Sequence, residues 1–198
     1  MARENDAKEA DRDGRPPRPT PQEVAAAEGR TIPDWVRPGL RVLFCGLNPG
    51  LYSGATGLHF GRPGNRFWPA LHLSRFTERR LEPWERDALL DRGLGITNLV
   101  ARTTARAAEL TREELVAGGR ALETRTARVG PAWVAVLGIT GYRAAFDEPS
   151  AVVGPQERRI GGARTWVLPN PSGLNAHFTL PRLAEEFARL RDEVERGR

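Results

Sequence analysis

Four short stretches of the chain are apolar almost throughout rather than at alternate positions: residues 40–46, 96–100, 133–138 and 165–169. A strand that alternates apolar and polar residues has one wet face, whereas a continuous apolar run is the mark of a strand buried on both. Helical patterns of ten or more residues lie between these runs. That rhythm predicts a single α/β domain with a short central parallel sheet of about four strands and helices on both faces. Thr111 and Glu114 form a capping-box start to one helix, in which hydroxyl and carboxylate each satisfy a backbone N–H, and Gly130-Pro131 ends it. The last helix opens near Pro181 and carries Leu183, Phe187, Leu190 and Val194 at helical spacing, which reads as a core face.

The ends of the chain behave differently. Residues 1–21 are charged and proline-rich with almost no large apolar group, so they cannot offset the entropy of ordering and are expected to form a disordered tail. The folded domain is expected over residues 22–198, starting with a short helix to about residue 28. The N-terminal residues have charges of both signs and no apolar stretch, and no run in the 198 residues approaches a membrane span, so a cytoplasmic monomer is expected. Cys45 is the only cysteine, which excludes an intrachain disulfide and a thiolate cluster, and its neighbours Leu43 and Phe44 place it in a buried strand.

The net charge is +5, and residues 1–19 hold five basic and five acidic side chains, so the excess belongs to the folded part. A basic domain favours a polyanionic partner such as nucleic acid. Of thirty basic residues only Lys8 is a lysine, and this arginine bias is equally compatible with genome composition.

In a parallel sheet, ligands sit at the carboxyl ends of the strands. The loops starting at Gly46, Ala101, Gly138 and Asn170 are therefore the candidates. The first reads GLNPGLYSGATGLHFGRPGNRFW over residues 46–68, and its glycines allow close approach of backbone to a ligand. It carries neither the P-loop pattern nor the Gly-x-Gly-x-x-Gly of dinucleotide folds. The fourth, LPNPSGLNAH over residues 168–177, puts two Asn-containing turns around an apolar tip, Leu174. Ser53 and Ser172 lack a nucleophile elbow and an assignable His/Asp pair, which argues against an α/β hydrolase. His59, His72 and His177 have no metal-ligand spacing, and no cofactor is expected.

GLNPG over residues 46–50 and NPSGL over residues 170–174 resemble the two signature motifs of the mismatch-specific uracil/thymine branch of the uracil-DNA glycosylase superfamily. Residues 57–68 are similar to its bacterial members, and the likeness runs from about residue 38 to 193. The resemblance implies a uracil-DNA glycosylase-like fold and a monofunctional N-glycosylase that flips uracil, thymine or a modified cytosine opposite guanine out of double-stranded DNA.

On matching positions it implies that Asn48 holds the hydrolytic water and that Phe60 stacks on the flipped base. Backbone amides at Leu47 and Phe60 would read the base edge, Ser53 would line the pocket wall, and Asn170 would act as a neutral donor toward the departing pyrimidine. Leu174 would be the wedge in the duplex, with Gly173 and Asn175 facing the widowed guanine, and Arg62, Arg66 and His177 contacting phosphates. Bacterial members carry a polar residue at the position of Ala108, so the resemblance also implies a weakened catalyst. A non-enzymatic nucleic-acid-binding α/β domain is the alternative reading of the basic charge and the apolar loop tip.

Overall fold

A computed structural model of the protein describes residues 15–173 and 178–197. The strands are β1 (Val42–Gly46), β2 (Leu94–Asn98), β3 (Trp133–Leu137), β4 (Gly154–Ile160) and β5 (Ala163–Leu168), in the spatial order β2-β1-β3-β5-β4. The first four strands in that order run parallel, and each of β1, β2 and β3 is buried at every position.

β4 was not among the expected strands. Its burial alternates along GPQERRI, and it pairs antiparallel with β5 at the sheet edge. Gly161 and Gly162, with φ of 54° and 91°, make the tight turn between them, since two successive positive φ values give the two-residue hairpin its matching twist. The sheet is thus five-stranded and mixed at one edge, where the sequence suggested four parallel strands.

The helices are α1 (Pro21–Ala25), α2 (Leu51–Thr56), α3 (Phe67–Leu73), α4 (Arg86–Leu90), α5 (Arg112–Val129), α6 (Ile139–Phe146) and α7 (Leu180–Arg196). They cover both faces. The Phe44 ring of β1 meets Phe67 of α3 and Phe187 of α7 at 5.3 and 5.8 Å. Its neighbour Cys45 points the other way, as alternate strand residues must. There Cys45 lies within electrostatic reach of Arg125 on α5, and burial pushes its thiol pKa far up, so it remains an inert thiol.

Thr20 caps α1 with Glu23 completing the capping box, so the first helix starts at Pro21. The α5 capping box of Thr111 and Glu114, its left-handed Gly130 terminus, and the Pro181 start of α7 all form as the sequence indicates. Among the described residues no helix is long and apolar enough to cross a membrane.

Strand order reverses between β1 and β3: from β1 the chain passes to β2 on one side, and from β3 it passes to β4 at the opposite edge and returns to β5 next to β3. Such a switch point leaves a crevice beyond the carboxyl ends of the two strands. The loops after Gly46 and Leu137 flank it.

Candidate active site

β1 ends at Gly46, where only glycine has room: a Cβ would lie 2.5 Å from Asn98 Oδ1 and 3.3 Å from the Phe60 ring. Leu47 then turns its side chain onto Gly141 of α6, where an added Cβ would meet Leu47 Cδ1 at 2.5 Å. The next residue, Asn48, is half-buried, and its Nδ2 donates to Thr104 Oγ1 at 2.7 Å, Arg102 O at 3.1 Å and Pro49 O at 3.2 Å. Three acceptors share the two amide protons. The amide orientation is thereby fixed, and Oδ1, which accepts no hydrogen bond from the described residues, is presented as the acceptor end.

Two of these acceptors, Arg102 O and Thr104 Oγ1, come from the second loop, which the sheet delivers alongside the first. Leu99 and Val100 leave β2 and donate backbone hydrogen bonds to Gly46 O and Leu47 O, each at 2.9 Å. Further on, Thr104 N donates to Pro49 O at 3.3 Å. On its outer side this loop is tied to the N-terminal segment: Thr103 N donates to Arg30 O at 2.8 Å, Gly29 N to Thr103 O at 3.1 Å, and the Thr103 hydroxyl to Ala27 O. Ala108 is exposed on the one-turn helix of Ala107–Glu109. Thr104, through its hydroxyl, and Arg102, through its carbonyl, are the residues of this loop that bond to Asn48.

Beyond α2, on which Ser53 is buried, the first loop is anchored at His59. The His59 ring is 2% exposed, packs edge-on against Trp35 at 5.1 Å and bonds Pro33 O through Nε2 at 2.9 Å. Trp68 Nε1 donates to its carbonyl at 3.2 Å. Burial lowers the His59 pKa, so the ring is neutral at pH 7. Phe60 follows with φ of 52°, a left-handed conformation that a bulky non-glycine residue adopts only when its surroundings force it. Its half-buried ring stacks on Phe67 at 4.2 Å and lies across the end of β1.

At the far side of the switch point, Asn170 follows β5 and sits next to Gly138, where a Cβ would be 3.8 Å from Asn170 Cβ. Its Oδ1 accepts from Ser172 N at 2.9 Å, which makes Nδ2 the donor end. Gly173 packs against the first loop so tightly that a Cβ would come 2.7 Å from Gly64 O. Arg66 joins the same two loops: its backbone N donates to Pro171 O at 3.0 Å, and its guanidinium donates to the carbonyls of Ser172 and Phe178. Arg66, expected at a phosphate, is therefore engaged within the protein. Arg62 is exposed. Leu174, Asn175 and His177 lie outside the described residues.

Two further residues belong to this site. Asn98, the last residue of β2, is 7% exposed and places its amide beside Gly46 and hence beside the Phe60 ring. Thr104, 2% exposed, is the shortest contact of Asn48. The signal for Asn98 was a lone amide in an otherwise apolar run; for Thr104 it was a polar residue in a loop leaving a parallel strand. Among the described residues no group of His, Cys, Asp and Glu is arranged to hold a metal. A groove of about 1020 Å³ opens at the opposite end of the strands among Arg37, Arg41, Arg75 and Arg92, and shares no residue with these loops.

The fold and this crevice define an α/β protein that gathers amide and aromatic side chains, Asn48, Asn98, Phe60 and Asn170, at the carboxyl edge of its sheet. The chain belongs to the uracil DNA glycosylase superfamily, which it matches over residues 33–194. It is also similar in fold to a protein from Methanosarcina acetivorans provisionally assigned as a uracil DNA glycosylase and solved by NMR. The two share 22% sequence identity and a TM-score of 0.59 over 84% of this chain and 98% of the other.

Proposed function

We propose that the protein is a monofunctional DNA glycosylase of the mismatch-specific uracil/thymine type. It takes uracil, and with it thymine or a modified cytosine, from opposite guanine in duplex DNA and hydrolyses the N-glycosidic bond to leave an abasic site. The observation that carries this reading is the oriented Asn48 amide, whose N–H groups are all consumed by the protein and whose Oδ1 is offered to water.

The chemistry needs no strong base. The C1′–N1 bond breaks with its electron pair going to the pyrimidine, the sugar gains oxocarbenium character, and water then adds its oxygen to C1′ and releases a proton. Asn48 accepts a hydrogen bond from that water without removing the proton. Phe60 supports the flipped base by stacking, worth about 1–3 kcal/mol in comparable contacts. The backbone amides of Leu47 and Phe60 read its edge, Ser53 lines the wall and Asn170 Nδ2 donates toward the developing anion. Leu174 fills the vacated stack, since an apolar wedge offsets the stacking lost on extrusion, and Gly173 and Asn175 face the widowed guanine. Ala108 adds no polar group at the site edge, and the protein is accordingly a slow catalyst.

The test is alkali-revealed strand cleavage on duplexes carrying uracil, thymine or a modified cytosine opposite guanine. Cleavage at the mismatched pyrimidine supports the reading. Binding to the same duplexes with no abasic product would make the protein a nucleic-acid-binding domain instead.

A further inference from the structure

We infer that Glu114 is a positioning residue for Asn48, acting through Arg102 from a helix that does not itself enter the site. The inference rests on the reading of Asn48 as the residue that holds water. It concerns what keeps that amide turned the right way.

Asn48 takes two of its three acceptors, Arg102 O and Thr104 Oγ1, from a loop that is bridged at Arg102 to Thr31 and at Thr104 to Gly50 and carries one short helical turn at Ala107–Glu109. If those acceptors moved, the Asn48 amide would be free to rotate and present an N–H to the place where an acceptor is needed. The Arg102 side chain runs from this loop to the first turn of α5. Its Nε and Nη2 donate to the two Glu114 carboxylate oxygens at 2.5 and 2.9 Å, and Nη2 also meets Glu109 O at 3.1 Å. This is the two-pronged pairing that a guanidinium makes and an ammonium does not.

Glu114 itself sits on a fixed platform. It is the third residue of α5, and the carboxylate also accepts from Thr111 N at 2.9 Å. One turn of α5 is seated by two adjacent glycines: a Cβ at Gly118 would lie 2.5 Å from Leu99 O, and one at Gly119 would lie 2.7 Å from Ala145 O. The helix is thus pressed backbone to backbone against the exit of β2 and against α6. A rigid helix, a bidentate pair, a loop carbonyl and the Asn48 amide form one continuous chain of contacts. Glu114 therefore does two jobs, helix cap and loop anchor.

The two jobs are separable. Thr111→Ala weakens the cap and leaves the Arg102 pair in place; Arg102→Met removes the pair and leaves the cap; Glu114→Ala removes the pair and the carboxylate half of the cap, while the Thr111 hydroxyl keeps its bond from the backbone N–H of residue 114. Two readouts apply to each folded variant: the hydrogen-exchange protection of the Asn48 side-chain amide by NMR, and single-turnover release of uracil from a G·U duplex alongside duplex affinity. The expected result for Arg102→Met and Glu114→Ala is loss of amide protection and release slowed about 5- to 20-fold, with affinity within about 2-fold of the parent. Thr111→Ala should keep both protection and rate. In an Asn48→Ala background, Glu114→Ala should cost nothing more, because its effect passes through Asn48. Retained amide protection in Arg102→Met, or an undiminished additional loss in the double variant, overturns the inference. If the parent releases no base, the proposed activity fails, while the amide protection still decides whether Glu114 sets Asn48.

Discussion

The Thr104 hydroxyl oxygen lies 2.7 Å from the Asn48 side-chain nitrogen, and this contact joins the first and second loops at the residue proposed to hold water. Thr104 is 2% exposed, and its backbone N–H is bonded to Pro49 O, so the hydroxyl is held at a fixed place beside the amide. Thr104→Val keeps the shape and removes the acceptor. A net hydrogen bond of about 0.5–1.5 kcal/mol translates into roughly a 2- to 10-fold slower single-turnover release, with Thr104→Ser close to the parent. Equal rates for valine and parent would remove Thr104 from the account.

Gly46→Ala tests the pocket floor. The new methyl would meet Asn98 Oδ1 at 2.5 Å and Phe60 Cζ at 3.3 Å, so either the Asn98 amide or the Phe60 ring must shift. Overpacking of this kind costs about 1–3 kcal/mol of stability, and base binding should suffer more than general duplex affinity. The check is thermal unfolding beside the affinity for duplexes with and without the mismatch.

Arg66 and Arg62 are separated by a charge-conserving change. Lysine cannot reproduce the Arg66 fork on the Ser172 and Phe178 carbonyls, so Arg66→Lys should lower stability by about 1–3 kcal/mol while leaving the salt dependence of duplex binding as it was. Arg62→Ala, at an exposed position, should leave stability alone and reduce the slope of log affinity against log salt by about one. Unchanged unfolding in Arg66→Lys would return Arg66 to the role of a DNA contact.

The strand runs and helix caps were legible because burial on both faces and backbone capping leave local marks. Asn48, Phe60 and Asn170 were legible through the motifs around them. β4 was not, because an edge strand with a wet face alternates polar and apolar residues and carries no continuous apolar run. Asn98 was hidden by a strand end read two residues too late: Leu99 and Val100 are apolar, yet they bond to the Gly46 and Leu47 carbonyls as the start of the loop. Glu114 was legible as a cap but not as an anchor, and Arg66 only as a charge, since both act through partners far away in sequence. Such pairings exist only once the sheet has brought the loops together.

Acid should loosen the first loop through His59. Its pKa in the folded protein is lowered, chiefly by burial, so the unfolded chain takes up the proton first as pH falls. Stability from this group is complete above the unfolded value near 6.5 and is lost as pH drops toward the folded value, at no more than about 1.4 kcal/mol per pH unit. Denaturant midpoints measured downward from pH 7.5 should show this limb in the parent and a flatter one in His59→Gln. Parallel profiles would assign the acid sensitivity elsewhere.

The central claim, that an oriented amide at Asn48 holds the water for base release, is tested most directly by single-turnover release of uracil from a G·U duplex at saturating protein, comparing parent with Asn48→Ala. The account predicts that the variant binds the duplex about as tightly as the parent and releases base at least about 100-fold more slowly, the scale on which loss of a group acting in the transition state is felt. Parent-like release by a folded Asn48→Ala protein would contradict it.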